Sequence, residues 1–432
     1  WSKLNLISKT VGTFYEDVFG NKKYNALYEE SYINKILPYL KCSFDNWVLV
    51  KLDCREVSST KELLLEDDAE YLLPVLQEEN TFTYKFVLSD DKEIICLNKC
   101  AQKFEYYRLP PATRLVSEKY LYVGNPIALK QNPKNKKIVL NIFVDGISQK
   151  VIEEENFAEL MPYTNAFFSK GIRCNQAYSA AEWTLPSLAS YTSGITPARH
   201  MIIHNNITNQ FPADLTILAE YFKEQGYQTA KIDGDWRSTQ SYGYGRGMDR
   251  IIYQHQNVGM KVEQVIEDTL DHIKLMQETN QFVWMCIGDL HNIADGIPQS
   301  PSVQASLPLE SRAIEEIGIT SVKQNHSINK RIAYMKQMKY IDDHLAVLYR
   351  YIEDHYKDDE IVISLFGDHG QGYLVEDGRH FLSEGRSKVG MMFRSDLKQG
   401  TVCEELISAC DYVPIMCKLA GIPLKNEPIE GQ

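Results

Sequence analysis

Ile138-Val139-Leu140-Asn141-Ile142-Phe143-Val144-Asp145-Gly146 is a strand-length apolar run that stops at an aspartate and a glycine. It is too short to cross a membrane and too continuously apolar for a half-exposed strand, so it reads as a strand buried on both faces. Two runs of the same kind follow, Phe282-Val283-Trp284-Met285-Cys286-Ile287 and Glu360-Ile361-Val362-Ile363-Ser364-Leu365-Phe366, and Thr229-Ala230-Lys231-Ile232 is a shorter fourth. Each of the two long ones is followed at once by Gly-Asp, in Gly288-Asp289-Leu290-His291 and Gly367-Asp368-His369-Gly370. From Lys136 onward these runs alternate with helical periods, the pattern of βα units in a mostly parallel sheet covered on both faces. Ligands of such sheets bind outside the carboxyl ends of the strands, so Asp145, Asp289 and Asp368 are expected at one edge.

Between the first and second strands lies Ala181-Glu182-Trp183-Thr184-Leu185-Pro186-Ser187-Leu188. Pro186 suits an initial helical turn, where no N–H partner is missing, and the free amides there favour an anion beside Thr184. Thr184 is therefore a candidate nucleophile for a phosphate-like group. Three aspartates at strand ends, two with a histidine within two residues, and one hydroxyl at a helix start make a metal-activated alkoxide the expected chemistry. Carboxylate with imidazole suits zinc or manganese. Asp342 and Asp343, on a helix expected over 332–355, read as a solvated face.

The totals fit that reading. The chain has 432 residues, 44% hydrophobic and 24% charged, an ordinary globular composition with room for one large catalytic unit and a smaller piece. A net charge of −12 argues against a nucleic-acid polymer or an anionic membrane as partner, and an anionic substrate would need a local cation. No stretch is long and apolar enough to span a membrane. Nine cysteines without a CxxC pair, several in apolar runs, and no signal-peptide pattern point to a reduced, cytoplasmic location, for a fragment whose leading Trp1 suggests truncation.

Residues 1–135 alternate polar and apolar positions, as in 45–52 and 81–88, which suits a β-rich accessory domain. The polar segment 131–137 marks the boundary, residues 136–432 form the catalytic domain, and the Ser-, Pro- and Gln-rich residues 296–330 read as an insertion near the site.

These motifs resemble the alkaline phosphatase/sulfatase superfamily. Thr184-Leu185-Pro186-Ser187-Leu188 with Ser193-Gly194 and Pro197-Ala198-Arg199-His200 is similar to the Cys-or-Ser-x-Pro-Ser-Arg signature of sulfatases. Pro162 to Phe168, Ile341-Asp342-Asp343-His344-Leu345 and the Asp411 to Pro423 segment resemble further family elements, across the whole of 136–432. The resemblance implies an α/β/α sandwich of the alkaline-phosphatase type. It implies a first metal site of Asp145, Thr184, Asp368 and His369. A second ion would draw on Asp289 and His291, but Ile293 stands where two-metal members carry a histidine. His380, twelve residues beyond Asp368, falls where relatives place a metal- or phosphate-contacting histidine, and Arg199 and His291 join it as substrate-binding candidates.

Threonine cannot become the formylglycine of sulfatases, and Leu188 replaces their arginine. The resemblance then points to phosphoethanolamine and phosphoglycerol transferases and nucleotide pyrophosphatase/phosphodiesterases. The expected activity is transfer of a substituted phosphoryl group through phosphothreonine, with one or two divalent ions. Its donor would be a phosphate ester or activated nucleotide, and its acceptor the sugar of a surface glycan. Hydrolysis of a phosphodiester or phosphate ester with water as acceptor, and a catalytically silent binding domain, are the alternatives.

Overall fold

The computed structural model describes residues 13–16, 23–26, 51–77, 81–99, 103–204, 211–238, 242–254, 260–313, 323–376, 378–379, 381–397, 399–425 and 429–431. Residues 45–50 of one expected strand, and His380, lie outside them. The N-terminal strands are β1 (Thr13–Glu16), β2 (Lys23–Ala26), β3 (Lys51–Leu64), β4 (Tyr71–Leu76), β5 (Tyr84–Val87), β6 (Glu93–Cys96), β7 (Glu105–Leu109), β8 (Arg114–Gly124) and β9 (Ile127–Ala128). They are followed by β10 (Ile138–Val144), β11 (Ile172–Cys174), β12 (Ala177–Tyr178), β13 (Gln228–Asp233), β14 (Arg250–Gln254), β15 (Gln281–Ile287), β16 (Ile361–Phe366), β17 (Met391–Arg394), β18 (Thr401–Cys403) and β19 (Ile407–Ser408).

The expected α/β fold with a mostly parallel central sheet is present. β10 runs in parallel between β15 and β16, with Val144 opposite Ile287 and Phe143 opposite Phe366, so the residues that follow the three strands emerge at one edge. β13 and β14 continue the parallel set beyond β15. On the other side β17 is antiparallel to β16 and to β11, and β18 runs parallel to β11. All seven residues of β10 are buried because both faces are covered. Val139 and Phe143 pack into one apolar cluster with the helices Thr184–Ser193 and Tyr412–Ala420. Ile138, Leu140, Ile142 and Val144 pack into the other, with the helices Val262–Leu275 and Ile328–His355. The alternation of β10 thus builds an α/β/α sandwich.

The N-terminal strands are antiparallel to one another and enclose their own apolar cluster, which includes Leu73, Val75, Phe86, Leu115 and Val123. β3 is shared: Lys51–Arg55 pair antiparallel with β14, while Val57–Leu64 pair with β8. No helix among the described residues is long and apolar enough to cross a membrane.

Two expectations are corrected. The long helix begins at Ile328, within the expected insertion, and the helix Pro301–Ser306 occupies another part of that segment. Asp342 is not solvated: it is fully buried and accepts hydrogen bonds from Tyr163 N (2.9 Å), Thr164 N (2.8 Å) and Thr164 Oγ1 (2.5 Å). Its carboxylate satisfies the orphan amides of the helix Pro162–Phe168, a reason to bury an acid that solvation would otherwise keep outside.

Candidate metal and nucleophile site

Thr184 is the first residue of its helix, with Trp183 as the N-cap, and every residue of that helix is buried. Ser187 Oγ donates to the Asp368 carbonyl (2.8 Å), which ties the helix start to the end of β16. Asp145 follows β10 directly, and Gly146 then turns the chain at φ +78°, where a Cβ would lie 2.1 Å from Gln371 Nε2. Released from side-chain bulk, Gly146 N donates to Asp368 Oδ1 (3.0 Å), and His369 N donates to the same atom (2.9 Å).

Asp145, Asp368 and His369 are all buried, and each offers an atom within 4.8 Å of the others. His369 Nδ1 lies 2.8 Å from the Gly370 carbonyl. Assigned from that bond, the tautomer carries its proton on Nδ1 and leaves the Nε2 lone pair facing inward. Nε2 is 3.2 Å from Asp368 Oδ2 and 3.7 Å from Asp145 Oδ1. Neither carboxylate oxygen has a hydrogen-bond partner. Three ligand atoms converge in a dry place, an arrangement that fits a divalent cation. Thr184 Oγ1 completes the set, 3.2 Å from His369 Nε2 and 3.5 Å from Asp145 Oδ2.

The electrostatics agree. Burial and the neighbouring Asp145 raise the Asp368 carboxyl well above the usual range. Burial alone would do the same to Asp145, but the Arg237 guanidinium and the His291 imidazole outweigh it and hold that carboxyl low. Burial pulls His369 down to about 3, which keeps it neutral and free to ligate.

Arg237 was not singled out by its sequence. It lies in a short 3-10 turn after β13, buried, and its Nη2 donates to Asp145 Oδ2 (2.6 Å) and to Asp235 Oδ2 (2.7 Å). Asp235 also accepts from Arg237 N and Nε at 2.8 Å, so the guanidinium is held from below and aimed at Asp145. Arg237 Nη1 is 3.4 Å from His291 Nε2. The only signal for it was a cation four residues beyond a strand end, in Asp233-Gly234-Asp235-Trp236-Arg237.

The remaining candidates divide. His291 joins the site: its Nδ1 is 3.7 Å from Asp145 Oδ1 and its Nε2 is 3.1 Å from Asp295. Burial disfavours its charge, but Asp145 reverses the balance and the imidazole titrates above its ordinary value. Asp289 turns away, with Oδ2 accepting from Val262 N (3.0 Å) and Oδ1 from Gln337 Nε2 (3.3 Å). It anchors the start of the helix Val262–Leu275, so a second ion held by Asp289 does not match its contacts. Arg199 is exposed and paired with Glu430 (3.3 Å), beyond the far end of the nucleophile helix. Asp289→Ala should lower stability by about 1–2 kcal/mol through the lost anchor and leave metal content unchanged. Chemical denaturation beside elemental analysis checks this, and metal loss in a folded variant would refute it.

Residues 137–422 match the sulfatase family profile. The chain belongs to the sulfatase family. No curated protein sequence matches this sulfatase-family chain. Among solved structures it is similar to the phosphonate monoester hydrolase of Agrobacterium radiobacter, with TM-score 0.53 and 12% identity over 68% of this chain and 75% of that one. It is likewise similar to BT1596, a 2-O GAG sulfatase, with TM-score 0.53 and 14% identity over 69% and 73%. An alkaline phosphatase superfamily protein from Vibrio parahaemolyticus gives TM-score 0.51 and 16% identity over 71% of each chain. At such identities the likeness is one of fold, and the residues of this sulfatase-family site must carry any argument about chemistry.

Proposed function

We propose that this chain is a metal-dependent transferase that moves a substituted phosphoryl group from an activated donor to a hydroxyl acceptor. The acceptor in this reading is a sugar of a surface glycan. The observation that carries it is Thr184 Oγ1, 3.2 Å from His369 Nε2 at the rim of a buried set of cation ligands. Asp145, Asp368, His369 and Thr184 would hold the ion, and two carboxylates, an imidazole and a hydroxyl suit zinc or manganese. Such an ion lowers the pKa of a bound hydroxyl and offsets phosphate charge.

The chain's own groups would then divide the work. Thr184 oxygen attacks phosphorus and the bond to the donor's leaving oxygen breaks, giving a phosphothreonine. The acceptor hydroxyl next attacks that phosphorus, the phosphorus–Thr184 bond breaks, and the threonine is restored. Arg237, oriented by Asp235, and His291 supply cationic groups beside Asp145 that favour phosphoryl oxygens. A catalytically silent domain has no use for four convergent ligands buried at this cost in solvation.

A second reading, with water as acceptor, is favoured by a neighbour of similar fold, a phosphonate monoester hydrolase. Transfer is preferred because the chain carries an N-terminal sheet and a 296–330 segment beyond what water would require. With a competent diester donor, a sugar acceptor should raise turnover severalfold and receive the phosphorus. Donor hydrolysis at an unchanged rate across a broad acceptor screen would replace transfer with the hydrolytic reading.

A further inference from the structure

Two cysteines outside the metal ligand set face each other across neighbouring strands. β11 and β18 run in parallel with Cys174 directly opposite Cys403, and Asn175 N donates to the Cys403 carbonyl (2.9 Å), which extends the pairing past them. Residues in register on adjacent strands project to the same face with Cα atoms about 5 Å apart, inside the roughly 4.4–6.8 Å that a disulfide spans. Both residues pack against the same apolar cluster. Both are free thiols, Cys174 buried and Cys403 half-buried. Among the described residues no other strand pair sets a cysteine against a cysteine: Cys54 faces Ile251 and Ala26, Cys96 faces Tyr84, and Cys286 faces Phe143.

We propose that Cys174 and Cys403 form a redox-sensitive pair that closes to an intrachain disulfide under a peroxide oxidant. Cys403 is the more accessible and reacts first. Its thiolate attacks one peroxide oxygen, the O–O bond breaks, and the products are a sulfenic acid on Cys403 and one water. Cys174 then attacks the Cys403 sulfur, the S–S bond forms, the S–O bond breaks, and a second water leaves. Two thiols are oxidised and one peroxide is reduced, and the two thiol protons end in the two waters. Burial and the neighbouring Cys403 push the Cys174 thiol up to about 12, which leaves the first attack to Cys403. The closed bond would fix β18, which among the described residues pairs with β11 alone, to the sheet.

The test uses the full chain, treated with hydrogen peroxide, unfolded in iodoacetamide and digested without reductant for peptide mass mapping. The expected product is a peptide pair joined through Cys174 and Cys403, two hydrogens lighter than its parts and separated by dithiothreitol. In Cys403→Ser the same treatment should leave Cys174 open to alkylation. Recovery of Cys174 and Cys403 as separate alkylated or overoxidised peptides in the wild-type chain would overturn the proposal, as would Cys174 joined to Cys410 in its place.

Discussion

Thr184→Ala is expected to lose activity on the order of a thousandfold or more, since the change removes the atom that bonds to phosphorus. The fold should survive. The hydroxyl caps no helix amide, its contacts are the 3.2 Å approach to His369 and the 3.5 Å approach to Asp145, and the helix stays anchored by Ser187 on the Asp368 carbonyl. The expected stability loss is about 1–2 kcal/mol, the size of such hydrogen bonds. Thr184→Ser keeps the oxygen and should retain part of the turnover. The measurement is steady-state turnover of a phosphodiester donor together with intact mass after quenching. The wild-type chain should carry a phosphoryl adduct on Thr184, and near wild-type turnover in a folded Thr184→Ala protein would remove it from the nucleophile role.

The second large effect concerns the ion. Chelation should abolish turnover, and readdition of zinc or manganese should restore it. Asp368→Ala should weaken metal binding by more than about a hundredfold, since loss of mere supporting groups around a ligand already costs ten- to a hundredfold. Neighbouring Asp145 keeps the Arg237 guanidinium at 2.6 Å when the ion is gone, so its charge stays compensated and the stripped protein should remain folded. A pH dependence follows. In the metal-free chain burial and Asp145 raise the Asp368 carboxyl, so loading the ion must expel a proton, and apparent affinity should fall as pH drops. Elemental analysis and calorimetric metal titration at several pH values check this. Full occupancy in an Asp145→Ala/Asp368→Ala double variant would dismiss the assignment.

What could be read from the residues alone follows the strength of local patterns. Asp145, Asp368 and His369 stood out because each follows an unbroken apolar run, and such runs fold into adjacent parallel strands whose ends fall together. Thr184 stood out through Pro186 and the helix start. Asp289 has the same signal, yet its carboxylate serves the helix Val262–Leu275 while His291, two residues on, turns to Asp145. Strand-end position places a residue at the edge but does not say which way its side chain leaves the backbone. Arg237 escaped because it lies in a short turn with no apolar period. Asp342 misled because an acid beside a second acid on a helix is usually wet, and the amides that welcome it come from residues nearly two hundred positions earlier in the chain.

The shared strand β3 bears on how the protein behaves in solution. β14 ends the parallel run, and without Lys51–Arg55 beside it one whole side of its backbone would be bare. Bare sheet edges recruit other chains and seed aggregation. The first half of β3 closes that edge with main-chain hydrogen bonds before its second half joins the N-terminal sheet. The N-terminal strands therefore cover the backbone of β14 as well as building their own sheet, a covering role remote from the chemistry.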